Sequence, residues 1–134
     1  MNGYLLDTNI ISDMIRNPFG LASSRIEKVG HKQIYTSILV AAELRYGGAK
    51  KGSPKLLARI EGALETIPVL PMDRPVDLEY GRIRAELEAT GQTIGHNDLL
   101  IGAHAYALGL ILVTDNMREF VRIPGLRVEN WLAE

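Results

Sequence analysis

No cysteine occurs anywhere in the chain, which excludes disulfides, zinc ribbons and thiol catalysis. That absence fits a reducing compartment. Charge of one sign is also missing. Fifteen Lys and Arg stand against 16 Asp and Glu, a formal net charge of −1, so a uniformly cationic, histone-like surface is excluded. A nucleic-acid partner is not, because the placement of a basic patch matters more than the total. No apolar run is long enough to cross a membrane. The longest, Leu99–Val113, is interrupted by Gly102, His104 and Gly109 and flanked by Asp98 and Asp115, whereas a spanning helix needs ~20 mostly apolar residues. It reads instead as a buried helix followed by a buried strand. Asp7 cuts the N-terminal apolar stretch short, so no signal peptide is expected. The expectation is a soluble, cytoplasmic protein with no membrane association. There is no internal repeat and no low-complexity tract.

What is present is enough for a core. The chain has 134 residues, 46% of them hydrophobic, which suits one domain over residues 1–134. Five short apolar runs read as strands: Tyr4–Leu6, Gln33–Thr36, Pro68–Leu70, Leu110–Thr114 and Leu126–Glu129. Between them lie helical patterns. Val76, Tyr80, Ile83 and Leu87 form one stripe, and Leu56, Leu57, Ile60 and Leu64 another, opened by the cap and first-turn pair Ser53-Pro54. Leu99–Leu108 is a third helix, with Asn97 or Asp98 near its start and Gly109 closing it. Strands alternating with helices predict an α/β layer fold around a mainly parallel sheet, with strands buried on both faces.

Open sheets of this class hold their sites at the carboxyl ends of strands. Two acids fall there. Tyr4-Leu5-Leu6 runs into Asp7-Thr8-Asn9, and Leu110-Ile111-Leu112-Val113-Thr114 runs into Asp115-Asn116. Each has a bland reading as a helix cap or the start of a turn. Glu43 is the only acid between Glu27 and Glu61 and follows the apolar run Ile38-Leu39-Val40-Ala41-Ala42; it either lies on an exposed edge or points inward. Asp98 opens the most hydrophobic helix, where a carboxylate is also a good cap. Glu61, Glu65, Glu79, Glu86 and Glu88 read as solvated. Four carboxylates sharing one crevice would repel each other and resist ionising, and a divalent cation relieves that. An all-oxygen donor set favours Mg²⁺, with Mn²⁺ also suited, over zinc. Such a centre can activate water for attack on a phosphodiester.

Taken in order, these blocks resemble the PIN-domain ribonucleases. The resemblance rests on Tyr4-Leu5-Leu6-Asp7-Thr8-Asn9, on Ser37 with Ala42-Glu43-Leu44-Arg45-Tyr46-Gly47, and on Gly95-His96-Asn97-Asp98-Leu99-Leu100-Ile101. Leu112-Val113-Thr114-Asp115-Asn116, Arg118-Glu119-Phe120, Arg122-Ile123-Pro124-Gly125-Leu126 and Glu129-Asn130-Trp131 complete it, and these closing blocks look like the VapC-type toxins of bacterial toxin–antitoxin pairs. The resemblance implies a three-layer α/β/α sandwich with four acids around Mg²⁺. It implies Asp7 and Asp98 as metal ligands, Glu43 acting through water or as a proton acceptor, and Asp115 in the fourth acidic place. Thr8, Asn9, Ser37, Thr114 and Asn116 would orient carboxylates and waters. The family often carries Asn at the position of Asp115 and Pro at that of His96.

The implied activity is a Mg²⁺-dependent endoribonuclease that cuts RNA, with tRNA a known target class among relatives, through a metal-activated water. The implied partners are an antitoxin that blocks the crevice and a second copy in a homodimer. Apolar surface near Ile10–Ile15 and around Leu56–Leu64 is a candidate for those contacts. Arg45, Lys50, Lys51 and Lys55 lie in an acid-free stretch after Glu43 and are candidate phosphate contacts; Arg82 and Arg84 are a second pair. His31 and His104 carry no ligand spacing. A non-catalytic RNA- or protein-binding module remains the alternative. An aspartyl-phosphate enzyme fits less well, because no second acid stands two residues after Asp7.

Overall fold

The computed structural model describes residues 1–133. Its elements run β1 (Tyr4–Leu6), α1 (Thr8–Arg16), α2 (Leu21–Val29), a 3-10 turn (His31–Gln33), β2 (Ile34–Ser37), α3 (Ile38–Lys51) and α4 (Pro54–Thr66). The chain continues through β3 (Val69–Leu70), α5 (Val76–Ala89), α6 (His96–Leu108), β4 (Ile111–Val113), α7 (Met117–Phe120) and β5 (Val128–Glu129). The strands form one sheet in the order β3-β2-β1-β4-β5, and every pairing is parallel.

That order explains where the helices go. From β1 the chain steps outward through β2 to β3, then returns across the sheet to β4 and β5. Right-handed crossovers put α1–α4 on one face and α5–α7 on the other, giving the three-layer sandwich. α1 packs on α3 and α4, and α5 on α6. The direction of winding reverses between β1 and β4, and such a switch point leaves a crevice at the carboxyl ends of the two strands. Leu6 pairs with both Thr36 and Val113, so the residues that follow, Asp7 and Thr114, emerge side by side.

Burial on both faces accounts for the uninterrupted apolar strands. Leu5, Leu6 and Leu112 have no exposed surface, nor do Ile10 and Ile11 on α1 or Ile101 on α6. Ile10 and Ile11 therefore belong to the core, as do Ile60 and Leu64, and are not the open contact surface expected of those two segments. β1 has the bounds of its apolar run and β2 lies one residue further on than expected, while β3, β4 and β5 are shorter than theirs, β3 and β5 being only two residues long. α6 begins at His96 with Gly95 as its cap, which places Asn97 and Asp98 inside the first turn rather than at the cap. His104 is fully buried in α6. Its Nδ1 lies 2.9 Å from the Ser37 hydroxyl, and burial lowers its pKa against the opposing pull of the Pro71 carbonyl and Asp73.

Gly3 is where the backbone leaves least room. Its φ is +137°, and a Cβ there would lie 2.5 Å from the Gln33 carbonyl oxygen. Gly3→Ala is expected to cost about 1–3 kcal/mol through backbone strain and displacement of β1 from β2. Gly81 on α5 has ordinary φ and open space around it, so Gly81→Ala should gain roughly 0.5–1 kcal/mol. Urea denaturation midpoints of the two variants, moving in opposite directions from the parent, check both.

Candidate active site

Asp7 is only 4% exposed although it carries a carboxylate. It is the N-cap of α1, and its Oδ1 accepts from the Thr8 backbone N–H at 2.8 Å. Its Oδ2 accepts from the Thr114 hydroxyl at 2.8 Å and from Asn9 Nδ2 at 3.4 Å. The cap and the functional reading are therefore the same atoms doing two jobs. Burial pushes the Asp7 pKa up; the Thr114 and Thr8 hydrogen bonds oppose this, while the charges of Glu43 and Asp115 add to it.

The other groups arrange themselves around this carboxylate. Glu43, half-buried on α3, accepts a 2.7 Å hydrogen bond from the Thr8 hydroxyl at Oε1, so one residue of α1 ties both acids together. Asp98 accepts from Asn116 Nδ2 at 3.1 Å. Its pKa is raised to about 6, first by burial, then by the Asp7 charge, then by a hydrogen bond and charge from Glu119, with Glu43 last. Asn9 bridges the two strand ends, since its Oδ1 accepts from the Asp115 backbone N–H at 3.1 Å. Thr114 Oγ1 in turn accepts from the Asn116 backbone N–H at 3.0 Å.

Of the five orienting residues expected from the sequence, Thr8, Asn9, Thr114 and Asn116 hydrogen-bond to carboxylates. Ser37 does not. Its hydroxyl accepts from the Leu39 backbone N–H at 3.1 Å and meets His104, so it starts α3 and pins it to α6 without reaching an acid. Asp115 is exposed, close enough to act on Asp7 by charge while its side chain makes no hydrogen bond among the described residues. Glu119 on α7 is the acid that sequence reasoning passed over as part of an Arg-Glu-Phe motif. The available signal was its place in the chain, only four residues after the strand-end acid Asp115.

The basic candidates are less uniform than their spacing suggested. Arg45 donates to both Glu61 carboxylate oxygens at 2.8 Å, so its guanidinium is not free for phosphate. Lys50 sits over the Tyr46 ring at 6.0 Å, and Lys55 is exposed. Lys51 lines a cleft that begins at Thr8 and Glu43 and also includes Arg16. Arg82 and Arg84 are engaged with Glu79, Glu86 and Glu88 along α5.

The donor set suits a hard divalent cation. It is all oxygen, and two of its carboxyls, Asp7 and Asp98, are driven toward protonation first by burial and then by the like charges around them. Among the described residues no three Asp, Glu or His side chains close around a single point. An ion held by two carboxylates, with waters completing its shell, is the arrangement Mg²⁺ commonly adopts.

The chain can now be set beside known proteins. A family model described as "PIN domain" matches residues 4–126. Ribonuclease VapC2 of Haemophilus influenzae is 43% identical over 131 residues, covering 96% of this chain and 98% of that protein. The tRNA(fMet)-specific endonuclease VapC of Salmonella typhimurium is 38% identical, covering 96% and 97%. Among solved structures, DNA-bound VapBC from Salmonella typhimurium superposes with a TM-score of 0.91 at 37% identity, over 98% of this chain and 99% of that one. VapBC2 from Rickettsia felis, bound to a promoter DNA fragment, gives 0.89 at 37%, again over 98% and 99%. The family match over residues 4–126 and the near-complete overlap with these relatives in sequence and in fold show that the chain belongs to the PIN-domain family, among its VapC members.

Proposed function

We propose that the chain is a Mg²⁺-dependent endoribonuclease, the toxin of a toxin–antitoxin pair, and that Asp7 and Asp98 hold the ion. The observation that carries this reading is the buried Asp7 carboxylate facing Asp98, a pair whose charges oppose one another until a cation stands between them. Relatives named as ribonucleases, and one named as specific for tRNA(fMet), support RNA as the substrate and tRNA as the class to try first. Solved VapBC complexes support an antitoxin partner, and the acid crevice is the surface we assign to it.

The roles follow from geometry. Thr114 and the Thr8 N–H fix both oxygens of Asp7. Asn116 fixes one oxygen of Asp98. Thr8 holds Glu43 where its second oxygen can take a proton from an attacking water. Glu119, whose charge acts on Asp98, is the fourth acid of this proposal in preference to the exposed Asp115. A bound Mg²⁺ supplies Lewis-acid polarisation of the phosphate and a more acidic water. Arg16 and Lys51 can contact backbone phosphates on the Glu43 side.

Purified protein incubated with tRNA and rRNA in Mg²⁺ should cut, and EDTA should abolish cutting. Asp7→Asn and Asp98→Asn should remove activity, while Thr8→Val, which frees Glu43, should cost ~10–100-fold in kcat. Equal cutting by parent and Asp7→Asn overturns the site. RNA binding without cutting favours the non-catalytic module.

Asp98 gives a second test that needs no substrate. Its folded carboxyl keeps a proton to about 6, against 3.8 ordinarily. The folded state therefore binds more protons in that window, and stability falls as pH rises through it. Melting temperature of metal-free protein should drop between about pH 4 and pH 7, and Mg²⁺ should recover it above pH 6 but not at pH 4. Asp98→Asn should flatten both responses; a slope unchanged in that variant contradicts the assignment.

A further inference from the structure

The acid centre has two flanks, and only one has been given a role so far. On the far side from Thr8 and Glu43, Glu119 forms one wall of a separate cleft of about 400 Å³ between α5, the turn leading to α6, and the start of α6. Its floor is apolar, with Leu87, Ile94 and Leu99 exposed by 3%, 8% and 2%. Its rim is polar and carries Arg84, Glu88 and His96. This volume falls within the usual range for small-molecule sites.

The cleft is preformed. Arg122 Nη1 donates to the Thr93 carbonyl at 2.7 Å and pins the turn that makes one wall. Arg84 is held from two directions, donating from Nε to Glu88 at 3.0 Å and from Nη1 to the Tyr80 hydroxyl at 3.0 Å. Its Nη2 has no partner among the described residues. The His96 ring is exposed and makes no hydrogen bond among those residues. A side chain at Gly95 would meet nothing within 4 Å, so the approach past this glycine is open.

The charges decide what can enter. Glu88 and Glu119 outnumber Arg84, so the cleft repels phosphate as much as it attracts it. A flat, uncharged ring with donors and acceptors on its edge matches an apolar floor and a polar rim. Unstacked bases in RNA loops are recognised this way, by stacking on imidazole or guanidinium groups and by hydrogen bonds to their edges. We infer that this cleft receives the base of a nucleotide adjacent to the bond being cut, and that His96 and Arg84 determine which base is accepted. The inference rests on the nuclease reading, because His96 and Leu99 of the cleft flank Asp98 on the first turns of α6, and this sets the cleft beside the acid centre. The strand then crosses the acid centre with phosphates toward Arg16 and Lys51 on one flank and a base held on the other.

The test is a titration of ¹⁵N-labelled Asp7→Asn protein with each of the four nucleoside 5′-monophosphates and with a short single-stranded RNA, followed by NMR. Amide signals of Thr93, Gly95 and His96 should move, one base should be preferred, and His96→Ala should weaken that nucleotide by about fivefold or more. Lys28→Ala, remote on α2, should leave the affinity unchanged. In parallel, cut ends produced by the Asp7-containing protein should show a base preference at one position beside the cut, and His96→Ala or Arg84→Ala should relax it and raise KM more than they lower kcat. Shifts confined to the Thr8–Glu43 flank, or equal affinity in His96→Ala, overturn the base cleft while the nuclease reading stands. The nuclease reading fails separately if the Asp7-containing protein with Mg²⁺ cuts none of the RNAs, since the titration reports on the cleft without any cutting.

Discussion

A carboxylate almost sealed from water at the end of a strand is the constraint around which the remainder of this molecule is arranged. Burying Asp7 would be prohibitive without donors, and two segments far apart in the chain supply three of them: the Thr8 backbone and the Asn9 amide at the start of α1, and the Thr114 hydroxyl just after β4. Each donor is fixed in turn. Asn9 also holds the Asp115 backbone, and Thr114 also receives the Asn116 backbone N–H. The result is a short polar lattice closing the seam between β1 and β4, at the only place in the sheet where the winding reverses. A water-filled crevice there would let the carboxylate relax; a hydrogen-bonded one keeps it aimed.

The remaining acids are held by weaker and more adjustable means. Glu43 is tied by one threonine hydroxyl, Asp98 by one asparagine amide and by Glu119. This gradation suits a site with one fixed anchor and several groups that answer to whatever ion or phosphate arrives. Burial and like charge raise the proton affinity of both aspartates, so the metal-free centre is electrostatically uncomfortable and its energy is lowered by a bound cation or by a partner's positive charge. One electrostatic fact thus underlies both the metal-bound and the antitoxin-bound state proposed above.

Much of this was legible in the chain because local patterns carried it. Tyr4–Leu6 and Leu110–Thr114 are apolar runs ending in an acid, and in a parallel sheet that pattern has few outcomes. The stripe from Val76 to Leu87 and the Ser53-Pro54 start marked α5 and α4 for ordinary reasons of period and capping. What escaped was either too short for periodicity or made by contacts between distant segments. α7 has four residues, so Glu119 had no helical repeat to advertise it. α2 buries only Ala22 and Ile26, and its solvent face concealed a helix. Arg45 looked free because its partner Glu61 lies on the next, antiparallel helix. Ser37 entered the expected site through the family resemblance alone, and only the packing of α6 shows that its hydroxyl meets His104.

The Thr114–Asp7 hydrogen bond spans 107 positions, which gives the site a chronology as well as a geometry. Chains emerge from the ribosome N-terminus first. Until β4 and α7 have been made, Asp7 therefore has the Thr8 backbone N–H but neither Thr114 nor the strand that shields it, and Asp98 lacks Asn116. A product that stops short of Thr114 carries Asp7, Glu43 and Asp98 without the later groups that position them.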